Sequence, residues 1–289
     1  MPTLKTLQPG DEVLLEAFLL QHADTSMFLR SNLREAGLFD QDSRFQGTYV
    51  AAIVDKKIVA VAAHYWNGMV IVQAPVQLAD VVEAVVAQSG RSISGIAGPA
   101  KQVEATKKIL GLANEPTYLD EREILLSLPL QNLQIPKALA SGEVRCRLPH
   151  LDELDLLSKW SVAYNVEALR QQETPELLPA CRQTLESHQA KASHWVLVVK
   201  NTPVSYSAFN ARLPDIVQIG GVWTPPQLRG KGYAKSVVAG SLLEARSQGV
   251  ERAILFTNRE NLAAQAAYKG IGFQATGEEF GLMLFEDPQ

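Results

Sequence analysis

One stretch limits what this chain can fold into more than any other: Val222-Trp223-Thr224-Pro225-Pro226-Gln227-Leu228-Arg229-Gly230-Lys231-Gly232-Tyr233-Ala234. Ahead of it, Ile216 to Trp223 is a β-branched and aromatic run that suits a strand, with Gly220-Gly221 marking a bulge. Behind it, Ala234, Val237, Val238, Leu242 and Ala245 recur at helical spacing, Lys235, Glu244 and Arg246 face outward, and Gly249 closes the segment. Arg252 to Thr257 then reads as a second strand. A strand, helix and strand this close together predict a right-handed crossover between parallel neighbours. The turn then lies at the carboxyl end of the first strand, where α/β sheets bind ligands.

The turn itself has the pattern Gln-x-x-Gly-x-Gly. Two glycines let the backbone come close to a ligand, and the helix that follows offers unpaired amides and the positive end of its dipole, a combination that suits phosphate. Two other phosphate motifs fail on residue identity. Position 225 is Pro where a P-loop needs its first Gly, and Gly232 follows Lys231 where Ser or Thr is required. The third glycine of a dinucleotide fingerprint would fall at Lys235. On loop composition alone, a plain βα turn with solvated Arg229 and Lys231 explains the segment equally well.

The second strand leads into Asn258-Arg259-Glu260-Asn261-Leu262-Ala263-Ala264-Gln265-Ala266-Ala267-Tyr268-Lys269-Gly270-Ile271-Gly272-Phe273, which contains Asn-x-x-Ala-x-x-x-Tyr-x-x-x-Gly-Phe. With both patterns at this separation, residues 216 to 285 resemble the catalytic core of the GNAT superfamily of N-acetyltransferases, and the Val-Trp-Thr-Pro-Pro-Gln-Leu-Arg-Gly-Lys-Gly-Tyr-Ala phrase is similar to the glycine N-acyltransferase branch. The resemblance implies acetyl-coenzyme A as co-substrate and no metal. Gln227, Leu228, Arg229, Gly230, Lys231, Gly232, Tyr233 and Ala234 would hold the pyrophosphate, mostly through backbone amides. Val222 and Trp223 would pair with the pantetheine arm, Asn261 and Ala264 would contact the pantetheine or acyl end, and Tyr268 would face the thioester sulfur as the catalytic residue. Each has a plainer reading: Asn258 and Asn261 stand where N-caps belong, and Tyr268, one turn beyond Ala264, would pack by default.

Acyl transfer to an amine needs a neutral nucleophile and a stabilised leaving thiolate. An amine of pKa near 10.4 costs about 4 to 5 kcal/mol to deprotonate at pH 7. Full proton transfer from an unperturbed tyrosine to a thiolate is uphill by about 2 kcal/mol, so Tyr268 is expected to act mainly by hydrogen bonding. The oxyanion would be met by a backbone amide near Val222. No general base declares itself: Asp215, Gln218, Glu167, Glu173 and Glu176 lie in relevant segments, but surface charge explains the acids. Arg229→Glu is expected to weaken coenzyme A binding with the fold intact.

A net charge of −4 argues against non-specific binding to nucleic acid or an anionic membrane. Cys146 and Cys181 suggest neither a disulfide nor a metal site, Met1-Pro2-Thr3-Leu4-Lys5 opens no signal peptide, and the apolar run Ile58 to Ala63 is too short to span a bilayer. The expectation is a cytoplasmic enzyme, a monomer or homodimer, acting on a small-molecule or peptide amine.

Aligned on itself, the chain sets Tyr49 to Ala60 against Trp195 to Tyr206, each reading strand, turn, strand. A third strand follows each pair, at Met69 to Gln73 and Ile216 to Val222, and amphipathic segments Asp11 to Gln21 and Leu151 to Tyr164 open the two halves. Two copies of one fold follow. The first lacks the chemistry: Ala74-Pro75-Val76-Gln77-Leu78-Ala79-Asp80 has no glycine pair and carries an acid, and no tyrosine occurs between Ala100 and Leu112. Gly95 to Pro99 is expected to be a strand-to-helix turn. The predicted fold is α/β (α+β), two tandem GNAT-like domains. Each is a mixed, mostly antiparallel sheet flanked by helices, with a central parallel strand pair. A degenerate domain would cover 1–138 and a catalytic one 139–289, joined near Gln134 to Gly142, where Ile135-Pro136 and Ser141-Gly142 interrupt the pattern. The predicted activity is acetyl transfer from acetyl-coenzyme A to a primary amine by direct attack. The alternatives are a non-catalytic acyl-coenzyme A sensor or scaffold, and a transferase using a longer acyl donor.

Overall fold

The computed structural model describes residues 2–286. The chain runs through β1 (Thr3–Thr6), α1 (Glu12–Leu19), α2 (Met27–Ala36), β2 (Gly47–Val54), β3 (Lys57–Tyr65), β4 (Met69–Gln73), α3 (Leu78–Ser89), β5 (Gly95–Pro99), α4 (Ala100–Ile109) and β6 (Thr117–Pro129). It continues with α5 (Lys137–Ala140), β7 (Arg145–Arg147), α6 (Leu154–Leu169), α7 (Leu177–Ala190), β8 (His194–Val199), β9 (Thr202–Arg212) and β10 (Ile216–Trp223). The last elements are α8 (Tyr233–Ser247), β11 (Arg252–Asn258), α9 (Leu262–Lys269) and β12 (Gln274–Phe285). Two compact units result: one runs to Leu125 and takes up the chain again from Gly277, and the other is Leu126–Thr276.

In the first unit the strands lie in the order β1-β2-β3-β4-β5-β12. All pairs are antiparallel except β4 with β5, which are parallel from Met69↔Gly95 to Ile71↔Ala97. Small side chains along β2 and β3, among them Ala52, Ala60 and Ala62, let α3 lie close to the sheet. Val81, Val82 and Val85 of α3 complete the core with Val50, Val70 and Val72. The chain's last strand closes this sheet, Phe280 to Leu284 pairing with Pro99 to Gly95.

The second unit has the order β11-β10-β9-β8-β7, with the end of β6 beside β11. Here β10 and β11 are the parallel pair and the remaining recorded pairs are antiparallel. Helices α6 and α7 cover one face of β8 and β9 through Leu154, Leu157 and Leu185 against Val196, Val198, Tyr206 and Ala208. Helix α8 buries Val237, Val238, Leu242 and Ala245, the apolar face its periodicity predicts. Both units are therefore mixed, mostly antiparallel sheets flanked by helices, each containing a parallel pair.

The compact units divide earlier than the predicted join, and the residues from Gly277 return to the first unit. The physical reason is that β6 runs unbroken across the division, so no Pro or Gly marks it. The punctuation read as a linker instead frames a short helix: Pro136 caps the start of α5, and Gly142 follows its end at φ +78°. No helix among the described residues is long and apolar enough to cross a membrane.

Candidate active site

The parallel ladder of β10 with β11 covers Ile216↔Arg252, Val217↔Ala253 and Gln218↔Ile254, although β10 continues to Trp223 and β11 to Asn258. Over the same residues β10 stays paired with β9, but with register shifts after Gln218 and after Gly220. The bulges turn β10 away from its parallel neighbour. Val222 and Trp223 lie at its end. The side-chain hydroxyl of Ser205 on β9 fixes that end, donating to Trp223 O at 3.1 Å and lying 2.8 Å from Thr224 Oγ1.

Past the strand, Pro226–Leu228 form a single 3₁₀ turn closed by Leu228 N–H to Pro225 O at 2.8 Å and Arg229 N–H to Pro226 O at 3.2 Å. The amides of Leu228 and Arg229 are thereby used within the turn. Gly230 and Gly232 take φ +79° and +76°, the left-handed region open to glycine at little cost. Gly232 is also the N-cap of α8, and its carbonyl accepts from Ser236 N–H at 3.2 Å and Ser236 Oγ at 3.0 Å. Ser236 is the first backbone donor of the helix with an acceptor. Among the described residues, the amides of Gly230, Lys231, Tyr233, Ala234 and Lys235 have no acceptor, and for the last three helix geometry requires this of a first turn. Lys231 is exposed and Lys235 half-buried beside them. This row of donors at a dipole's positive end is the electrostatic centre of the site.

The Arg229 side chain has partners within the chain. Its Nε donates to Thr224 O at 3.0 Å, its Nη2 lies 2.8 and 3.0 Å from the two carboxylate oxygens of Glu167 on α6, and its guanidinium carbon sits 4.9 Å from the Trp223 ring centroid. Glu167, one of the carboxylates considered as a base, is thus an ion-pair partner. The two residues lie 62 positions apart, and no local pattern announces the pair. Gln227 is exposed.

Asn261 is the N-cap of α9, its side-chain oxygen accepting from Ala264 N–H at 3.0 Å, and Asn258 Oδ1 likewise accepts from Glu260 N–H at 2.7 Å. The capping role is present at Asn261 alone; Asn258 ends β11, and its side chain closes an Asx turn ahead of the helix instead of capping it. Tyr268 lies on the buried side of α9, 8% exposed, with its ring edge-on to Phe273 at 6.0 Å between centroids. Helices α8 and α9 pack together. Gln218, where the parallel pairing ends, is buried; its Nε2 donates to Ile219 O at 2.9 Å and its Oε1 has no partner among the described residues. Glu173 and Glu176 stand exposed between α6 and α7.

On the α6/α7 face a buried polar line runs from Gln189 Oε1 to His194 Nε2 (2.8 Å), and from His194 Nδ1 to Tyr206 OH (3.3 Å). Burial first, and the neighbouring His188 second, push the His194 pKa down to about 3, so the ring is neutral. Burial drives the Tyr206 phenol far above its ordinary range. Tyr206 faces Trp223 in the β9–β10 register, a link between this line and the strand end that sequence reasoning missed. No group of three or more His, Cys, Asp or Glu able to hold a metal occurs among the described residues.

The parallel strand pair thus parts beside the N-terminus of α8, whose first turn follows two left-handed glycines. The comparisons with known proteins make the class specific. Residues 160–273 match the profile of the acetyltransferase (GNAT) family. A stretch of 59 residues is 42% identical to N-acetyltransferase 8B of Rattus norvegicus; it covers 20% of this chain, and the chain spans 27% of that protein's length. Among solved structures, a Drosophila protein aligns over 98% of this chain and 99% of its own at TM-score 0.68 and 12% identity. A tandem GNAT protein from the clavulanic acid biosynthesis pathway aligns over 100% of both chains at TM-score 0.56 and 11% identity. The chain's fold is thus similar to that of a tandem GNAT protein.

Proposed function

We propose that the second unit transfers an acyl group, acetyl by preference, from coenzyme A to the primary amine of a small molecule or peptide, by direct attack with both substrates bound. The observation that carries this is the row of unpaired amides from Gly230 to Lys235 at the point where β10 leaves β11, within the segment that matches an acetyltransferase family profile. The residues fit the ligand. Side chains at 230 and 232 would strain a left-handed turn, and the amides beyond them would donate to a pyrophosphate with Lys231 adding charge. The open edge of β10 from Ile219 to Trp223 would pair with an extended amide-bearing arm.

The thioester supplies an activated acyl group and a thiolate leaving group. The chain's own work is to place an amide of the Val222 region where negative charge develops on the acyl oxygen, and to offer the Tyr268 hydroxyl to the sulfur. Held as a hydrogen-bond donor, Tyr268 lowers the barrier without passing through the uphill phenolate.

The first unit acts as a scaffold in this reading. Its strands also part, the recorded β4–β5 pairing ending at Ile71↔Ala97, but Ala74 N–H donates to the Gln102 side chain at 2.7 Å and Pro75 has no N–H to give. Asp80 then occupies the first turn of α3, where it would repel phosphate.

Thiol release from acetyl-coenzyme A, followed colorimetrically with a panel of amines, tests the proposal. Amine-dependent release is expected. Coenzyme A binding without release across the panel would favour a sensor instead.

A further inference from the structure

We infer that Arg229 and Glu167 are positioning residues that fasten helix α6 to the amide-lined turn, and that the Arg229 side chain is not itself a phosphate ligand. The inference rests on the reading of the turn as a coenzyme A site. Three contacts commit the guanidinium at once: the Thr224 carbonyl at 3.0 Å, both oxygens of Glu167 at 2.8 and 3.0 Å, and the Trp223 ring at 4.9 Å. An exposed ion pair alone contributes little, and these two side chains are 44% and 52% exposed. Here the pair is pre-organised, because the guanidinium carbon lies against the ring of buried Trp223 while Nε donates to the carbonyl of Thr224, a residue whose hydroxyl is held by Ser205.

The geometry gives the clamp a direction of action. Glu167 sits in the last turn of α6, the helix that packs on β10 and leads into residues 170–176. Arg229 stands immediately before the first left-handed glycine. Fixing the turn therefore fixes the end of α6, and ordering the amides on a phosphate would be passed to α6 through one guanidinium. Were Arg229 to swing onto the phosphates, Glu167 would lose its partner and α6 its tie.

The test combines coenzyme A titration by calorimetry with hydrogen exchange read by mass spectrometry, on the full chain. Coenzyme A is expected to slow exchange in 230–236 and in 160–169 of the unaltered protein. Glu167→Gln should keep the dissociation constant within about twofold and keep protection at 230–236, but lose protection at 160–169. Arg229→Gln should do the same at 160–169 and weaken affinity less than about threefold. The double exchange Glu167→Arg with Arg229→Glu, which preserves net charge, should restore protection of α6. The inference is overturned if Arg229→Gln weakens coenzyme A tenfold or more while Glu167→Gln tightens it, since Arg229 is then a direct ligand. It is equally overturned if protection of 160–169 is the same in all variants. Absence of any coenzyme A binding by the unaltered protein would instead overturn the assignment of the turn.

Discussion

Gly230→Ala separates backbone strain from ligand binding, provided Gly249→Ala is measured beside it. Both glycines are left-handed, at φ +79° and +89°, and in both a new Cβ would meet nothing within 4 Å. Sterics are therefore equal, and the cost is conformational: about 1–2 kcal/mol for an L-residue in that region, less roughly 0.4–1 kcal/mol from a stiffer unfolded chain. A net loss of about 1 kcal/mol should lower Tm by about 2–4 °C in each variant. The two positions differ in what they hold. Gly249 follows the far end of α8, where its N–H donates to Arg246 O at 3.1 Å, whereas Gly230 opens the row of free amides. Alanine at 230 relieves its strain by rotating toward negative φ, which turns the neighbouring amides out of line. Losing one charge-assisted hydrogen bond of about 1.5–3 kcal/mol weakens coenzyme A by about ten- to a hundredfold. Calorimetric titration should show that loss for Gly230→Ala and less than a twofold change for Gly249→Ala. Equal weakening in both variants would refute the reasoning, because strain alone would then explain it.

Tyr268→Phe keeps the edge-on contact with Phe273 and should leave Tm within about 1 °C while slowing turnover by about 10²- to 10³-fold; unchanged turnover would remove the role. Asn261→Ala deletes the cap on Ala264 N–H and should cost about 1 kcal/mol of stability, while Asn261→Asp restores it by capping the same amide; a turnover defect that persists in the Asp variant would mark the side-chain NH₂ as a substrate contact. His194 titrates near 6.5 when unfolded and about 3 when folded, so the folded state binds fewer protons in that window and stability falls as pH drops from 6.5 toward 3, by about 1.4 kcal/mol per unit at most. His194→Gln should be less stable at pH 7 yet lose Tm less steeply between pH 6.5 and 4, and a parallel decline of the two proteins would contradict the assignment.

Much of the second unit was legible because its signals are local. The strand at Ile216–Trp223, the bulge at Gly220-Gly221, the turn and the apolar face of α8 each follow from residue type and spacing within a few positions. The worn repeat was legible for the same reason: β2 with β3 and β8 with β9 are hairpins whose turns take left-handed residues, Asp55-Lys56 and Lys200-Asn201. What stayed hidden was set by distant partners. Nothing near Arg229 names Glu167, and nothing in β12 names β5, because pairing across such separations is decided by which edge is open after the rest has folded. Asn261 shows a third case. Capping and ligand contact ask for the same side chain at the same place, so sequence could read both; the capping bond is present, and ligand contact rests on the proposed function.

The account stands or falls on one active site per chain that turns over acetyl-coenzyme A. Native mass spectrometry of the full chain with acetyl-coenzyme A, repeated after addition of the amine panel, measures this directly. One donor bound per chain is predicted, released as free coenzyme A with an acetylated amine when an acceptor is present, and with binding weakened by Gly230→Ala. Two donors per chain, or one donor that no amine discharges and that Gly230→Ala leaves in place, would contradict it.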